Sequence, residues 1–218
     1  MVREQFDYDL KSLQDKIIEL GKLAEIALQT SMKGLRLKDV DFALQVIDND
    51  YKSDNLEEEI NDLAVMLITK QQPVATDLRR IFSSVKIASD LERISDHAVN
   101  IAKATIRLGA KELSISLDTL EEMYLMSQKM LTLCIQAYQD ENLVFAKQVA
   151  EMDDVVDELY GKAVRELMVS IPEQPKDINQ ITQLSFVARY IERVADHITN
   201  VAENIFYLVK GKHYLLNE

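Results

Sequence analysis

Cysteine is nearly missing from this sequence: Cys134 is the only one in 218 residues. No intrachain disulfide can hold the fold, which fits a reducing compartment. Glycine and proline are scarce as well, at 5 and 3. Sandwiches and α/β folds need more turn residues than that, so long helices are favoured. Tryptophan is absent. No apolar run exceeds LAVMLI at 63–68, far short of the ~20 residues of a membrane span. The opening MVREQFDYDLKS has no apolar signal-peptide core. The chain is therefore expected to be cytoplasmic and to meet a membrane only through partners.

Net positive charge is lacking too. The formal charge of −12 repels phosphate backbones and anionic lipid, so nucleic acid is not an expected partner. Such a surface attracts metal ions or basic protein surfaces instead. Catalytic signatures are also absent. The sequence contains no G-x-x-x-x-G-K-[ST], no G-x-G-x-x-G and no G-x-S-x-G. Cys134 sits in the apolar run MLTLCIQAY and reads as core, not nucleophile. No nucleophile stands beside a base, so no enzymatic activity is expected.

What the sequence does have is a repeat. ERISDHAVNIA at 92–102 recurs as ERVADHITNVA at 192–202, with Glu, Arg, Asp, His, Asn and Ala kept at an offset of 100. Upstream, Val46, Asp50, Asp54 and Leu56 match Val149, Asp153, Asp157 and Leu159 at an offset of 103. Apolar residues at spacings of three and four predict helices over 5–35, 40–69, 74–108, 115–139, 142–170 and 176–210. Asp39 is a candidate N-cap, QQP at 71–73 and IPEQP at 171–175 are breaks, and Gly109 and Gly211 are stops. The fold class is then all-α: six long helices in two tandem three-helix bundles related by duplication. The expected division is 1–110 and 111–218.

The repeat carries acidic pairs four residues apart, so each pair stacks on adjacent helical turns. They are Asp50 with Asp54, Glu92 with Asp96, Asp153 with Asp157, and Glu192 with Asp196. All are expected at the margin of an apolar stripe. On the third helix that stripe is Ile81, Ala88, Leu91, Ser95, Ala98, Val99 and Ala102. Two pairs on neighbouring helices would bring four carboxylates to one rim, and a hard cation with oxygen ligands would relieve their repulsion. Arg93 and Arg193, three before Asp96 and Asp196, allow another reading, that of ordinary ion pairs on a solvated face. Helical phase turns Arg93 and His97 away from that margin. Di-iron bundles use Glu-x-x-His, whereas His97 and His197 lie five residues after their glutamates. A packing or hydrogen-bonding role suits them better. His213, in GKHY, reads as a tail residue.

The doubled E-R-[IV]-x-D-H-x-x-N-[IV]-A, with DLRRI at 77–81, resembles the PhoU family over nearly the whole chain. The resemblance implies paired three-helix bundles, usually in a homodimer. It implies a negative regulator of the phosphate-starvation response that couples a phosphate ABC transporter, through its ATPase, to a sensor histidine kinase. Some members hold metal ions or iron clusters through E(D)-x-x-x-D motifs, which map here onto the four acidic pairs named above. The metal is left open among iron, zinc, manganese and magnesium. Lys103 replaces Glu203 in the first copy, and Tyr160 replaces Glu57 in the second. The Lys103 cation predicts weaker metal binding in the first copy. Two alternatives remain: a di-metal carboxylate protein of ferritin-like type, and a metal-free helical adaptor.

Overall fold

Leu13, Ile17, Leu20, Ala24 and Leu28 follow one another every three or four residues and all are buried, one stripe of a helix. That helix is α1, Val2–Leu37, in a computed structural model that describes residues 2–109, 112–173 and 175–216. Lys38 leaves helical geometry with φ 55. The Asp39 carboxylate then accepts a hydrogen bond from the Asp41 N–H at 2.9 Å, capping α2, Val40–Asn49. The helices that follow are α3 (Tyr51–Gln71), α4 (Thr76–Leu108), α5 (Asp118–Asp140), α6 (Leu143–Glu173) and α7 (Ile178–Lys210). A single 3-10 turn, Pro175–Asp177, precedes α7. Among the described residues there is no strand.

Each of the six expected helices is present, its ends within three residues of expectation. The second is interrupted at one residue. Asp50 keeps helical dihedrals (φ −55, ψ −41), but its N–H reaches back three residues to the Ile47 carbonyl at 3.4 Å instead of four. The ladder resumes from the Asp50 carbonyl, so α2 and α3 are two segments separated by one break in the hydrogen-bond ladder. The matching stretch of α6 is unbroken. Gln72 and Gly109 terminate α3 and α4 with φ 46 and φ 67, and Gly211 terminates α7 with φ 70.

Helices α4 and α7 pack on each other more extensively than any other pair. They run antiparallel: Arg79 meets Gly211, Asp90 meets His197, and His97 meets Tyr190. Position rises on one helix as it falls on the other, so the two copies face each other across a local two-fold. Their burial sequences are nearly superimposable from 81 to 102 and from 181 to 202. Buried alanines at 88, 98, 102, 188, 195 and 202 line both helices, and small side chains let axes approach. Helix α1 lies against α3 and α4, and α6 against α5 and α7. The copies also touch through α1 and α5, where a Cβ on Gly21 would stand 2.8 Å from Ile135 Cδ1. One continuous apolar core results, including Cys134.

Candidate functional site

Glu92 and Asp96 sit half-buried on successive turns of α4, at the edge of its buried face. Arg93 does not turn away from them. Its Nε lies 3.3 Å from Glu92 Oε2 and its Nη1 donates to Asp96 Oδ2 at 2.7 Å. The second copy repeats the arrangement, with Arg193 3.9 Å from Glu192 Oε2 and 3.1 Å from Asp196 Oδ2. Helical phase sets only where the Arg Cβ points. The long stem then curls back because two carboxylates lie within one turn. Arg189, which the repeat hides because the first copy has Ser89 there, adds an ion pair to Glu192. Its signal was the i, i+3 spacing.

The acidic pairs of neighbouring helices feel one another. Burial first, and then the Asp96 charge, push the Glu92 carboxyl up to about 7 against the pull of Arg93, with Asp54 and Glu57 on α3 adding to the rise. Burial also raises Asp50, helped by Asp54 and Asp96, while Lys103 pulls it back. In the second copy burial raises Asp157 and Glu192. Asp196 is the leading carboxylate acting on both, and Arg189 opposes both. Each copy thus gathers acids from two helices, and each has its own extra cation: Lys103 in one, Arg189 in the other.

The expected residues do not all share one setting. Asp54 and Asp157 are exposed, and Asp50, Glu92, Asp96, Glu192 and Asp196 are half-buried. Asp153 departs from its expected margin. It is 2% exposed, on the inward line Val149, Asp153, Val156 and Ala163 of α6. Asp50, its counterpart, sits at the break between α2 and α3 and is half-exposed, whereas Asp153 lies within the unbroken α6. A second difference lies beneath the acids. Ser53 and Ser95 share a buried hydrogen bond at 3.0 Å, where the second copy has the apolar Val156 and Ala195.

The histidines meet at the α4–α7 seam, in the packing and hydrogen-bonding role their spacing suggested. His197 Nδ1 is 2.9 Å from Asp90 Oδ1, which also accepts from Asn200 Nδ2 at 3.3 Å. His97 stacks on Tyr190 at 6.0 Å and lies 5.6 Å from the His197 ring. Burial and the neighbouring His197 lower the His97 pKa to about 4. His213 packs too, stacked on Tyr207 at 4.0 Å.

The donors fit a hard cation in kind. All are carboxylate oxygens, and Glu192 Oε2 is buried without accepting a hydrogen bond. In placement they are not yet a coordination sphere. Among the described residues no three His, Cys, Asp or Glu side chains converge on a metal position, and Arg93 and Arg193 hold the space between the acids. Among the described residues no helix is long and apolar enough to cross a membrane.

The PhoU domain model matches this chain twice, over 17–105 and 120–205. A phosphate-specific transport system accessory protein PhoU homolog of Clostridium acetobutylicum is 39% identical over 222 residues, covering 100% of both chains. A homolog of the same description from Rhizobium meliloti is 36% identical, covering 96% of this chain and 89% of its own. The crystal structure of PhoU from Pseudomonas aeruginosa superposes with a TM-score of 0.92 at 31% identity, over 95% of this chain and 100% of that one. The phosphate transport system regulatory protein PhoU from Streptococcus pneumoniae gives 0.90 at 28%, over 96% and 99%.

Proposed function

The chain belongs to the PhoU family, and from that premise we propose that it is a cytoplasmic accessory protein of a phosphate-specific transport system. Its role is negative regulation of the phosphate-starvation response, by contact with the transporter ATPase and a sensor histidine kinase, as a homodimer without enzymatic activity. The observation that carries this reading is the full-length match to an accessory protein, with both family domains present. Deletion of the chain from its host tests it. A phosphate-starvation reporter should switch on in phosphate-rich medium and fall silent again when the chain is restored. A reporter that stays silent after deletion rejects the regulatory role.

Metal association belongs to the same proposal. Asp50, Asp54, Glu92 and Asp96 would hold a cation in the first copy, and Asp153, Asp157, Glu192 and Asp196 in the second. The metal would be iron, zinc, manganese or magnesium, and bound there it would neutralise the acidic rim. Arg93 and Arg193 have to release their carboxylates for those oxygens to serve as ligands. Replacing both arginines by Ala should therefore strengthen binding of Mn2+ or Zn2+ in calorimetry, while Ala at Glu92, Asp96, Glu192 and Asp196 should abolish it. Protein purified without chelator that carries no metal by elemental assay, and binds none when titrated, ends the metal reading. The Arg93 and Arg193 ion pairs favour a second reading, a metal-free adaptor whose acids are neutralised internally. Partner binding that survives chelator treatment unchanged would select it.

A further inference from the structure

A cavity of about 280 Å³ opens where α1, α4, α5 and α7 come together. Leu10, Leu13 and Leu208 give it apolar walls, and Ser84 and Tyr138 share a hydroxyl hydrogen bond at 3.2 Å in its lining. Both are buried, Ser84 at 3% exposure and Tyr138 at 6%. Burial pushes the Tyr138 pKa up to about 12 against the bond to Ser84, so the phenol keeps its proton. Two hydroxyls then carry two protons, and their mutual bond uses one. The second is a buried donor that a guest oxygen can accept.

The duplicate of this place shows what packing alone asks for. An offset of 103 relates α1 to α5. Lys38 and Glu141 both leave the helix at positive φ, 55 and 50, and Asp39 and Asn142 both cap the next one through a side-chain oxygen. Tyr138 then answers to Leu35. At the offset of 100, Ser84 answers to Leu184 and Arg80 to Gln180. Leu35 and Leu184 are buried, so the same fold is satisfied there by two apolar side chains. Gln180 is spent on the chain before α5, donating to the Glu112 carbonyl at 3.0 Å and accepting from the Ser114 N–H at 3.2 Å. A hydroxyl pair in place of two leucines gives up apolar burial that the fold uses elsewhere. Apolar walls with a few placed polar groups are the usual make-up of a small-molecule site.

The charges select the guest. Arg80 pairs with Glu141 at 2.6 Å and Lys11 with Asp15 at 3.1 Å. At the Tyr138 hydroxyl the Arg80 charge acts with one sign, Glu141 and Asp15 with the other. Both cations of the lining are thus taken. Asp7 in the lining is exposed, where water screens it. Neither an anion nor a cation is favoured.

We infer that this cavity binds a small uncharged molecule with an apolar body and one carbonyl oxygen, a ketone, ester or amide, seated on the Ser84–Tyr138 pair. A cavity of roughly 150 Å³ is enough for benzene, so a six-membered ring with a carbonyl has room. The guest touches both copies at once, through α1 and α4 of the first and α5 and α7 of the second. The inference rests on neither the metal reading nor the accessory role.

Titration of the full-length chain with cyclohexanone, followed through the methyl NMR signals of Leu13 and Leu208, tests it. Saturable shifts at both are expected, with cyclohexanecarboxylate binding more weakly because its charge has no free partner. Ser84→Ala with Tyr138→Phe removes both hydroxyls and keeps the apolar walls, and should weaken cyclohexanone about tenfold. Tyr138→Phe alone is the milder variant and should weaken it less. No saturable shift in the wild type leaves only water on the pair and overturns the site. Unchanged affinity in the variants overturns the seat on the hydroxyls, and tighter binding of the carboxylate overturns the uncharged guest.

Discussion

His197 holds Asp90 across the seam at 2.9 Å, whereas His97, its counterpart in the other copy, faces Tyr190 as a stacked ring at 6.0 Å. The two helices nearly match in burial from 81 to 102 and from 181 to 202, yet the duplicated histidines have acquired different partners. One contact is polar and directional, the other a ring packing, and the difference comes from a single position of the repeat, 90 against 190.

Asp90→Ala should destabilise the fold by about 1–2 kcal/mol, because it leaves His197 Nδ1 without its partner in a half-buried seam. Thermal unfolding should then begin roughly 2–8 °C lower. Tyr190→Ala loses ring packing instead, so its cost should vary little between pH 6 and pH 8. An Asp90→Ala protein as stable as wild type would show that the bond contributes nothing.

The acidic rim should make stability depend on pH. The Glu92 carboxyl titrates near 7 in the fold against an ordinary value of 4.5, so the folded state binds its proton more tightly than the unfolded state does. Its contribution is fully present below pH 4.5 and is lost as pH rises towards 7. Burial lowers His97 to about 4 from 6.5, so its contribution runs the other way, gained across that window. The two oppose each other, and single variants separate them. Relative to wild type, Glu92→Gln should gain stability steadily from pH 4.5 to pH 7 in urea unfolding. A difference that is flat with pH refutes the assignment.

Gly109 and Gly211 end α4 and α7 with nearly the same left-handed φ, 67 and 70. A Cβ on Gly109 would meet nothing within 4 Å, while one on Gly211 would stand 1.8 Å from Arg79 Nη1. Their ψ differ, however: Gly109 at −165 lies in a region open essentially to glycine alone, and Gly211 at 18 lies in the ordinary left-handed well. Gly109→Ala should therefore cost about 1–3 kcal/mol from backbone strain alone. Gly211→Ala should cost about 1–2 kcal/mol in strain and a further amount because it also drives the guanidinium off the negative end of α7. In an Arg79→Ala background the Gly211→Ala cost should fall while the Gly109→Ala cost stays the same. A Gly211→Ala cost unchanged by Arg79→Ala would place Arg79 elsewhere.

Ser53 and Ser95 offer a test by transplant. Ser95→Ala alone should cost about 1 kcal/mol by stranding a buried hydroxyl. Ser53→Val with Ser95→Ala installs the apolar pair that the second copy already uses, and should be no less stable than the single change. A double variant much weaker than the single would show that the first copy cannot accommodate the larger side chain.

Much of this molecule was legible in its sequence, for physical reasons. Period and breakers located the helices, because Asp39, Gly109 and Gly211 act locally. Duplication paired the copies, because Glu92 and Glu192 answer to the same register. The inward turn of Asp153 was hidden. Helical phase puts a residue only near a margin, and whether that margin is wet depends on the packing around it, which differs between Asp50 at the ladder break and Asp153 in the unbroken α6. The reach of Arg93 was hidden because a long flexible stem is placed by its neighbours, not by its Cβ. Asp90 and His197 are 107 residues apart, and no single-helix pattern relates them. Position 90 differs between the copies, so the repeat pointed away from it.

The antiparallel seam has one more consequence. Had each half been a separate chain pairing with an identical partner, positions 90 and 190 would be one position, read from one gene. An Asp facing one histidine would then oblige an Asp facing the other. Joining the halves lifts that obligation. A change on one side no longer has to suit both, and the surface over the seam is free to present two unlike ends to whatever approaches it.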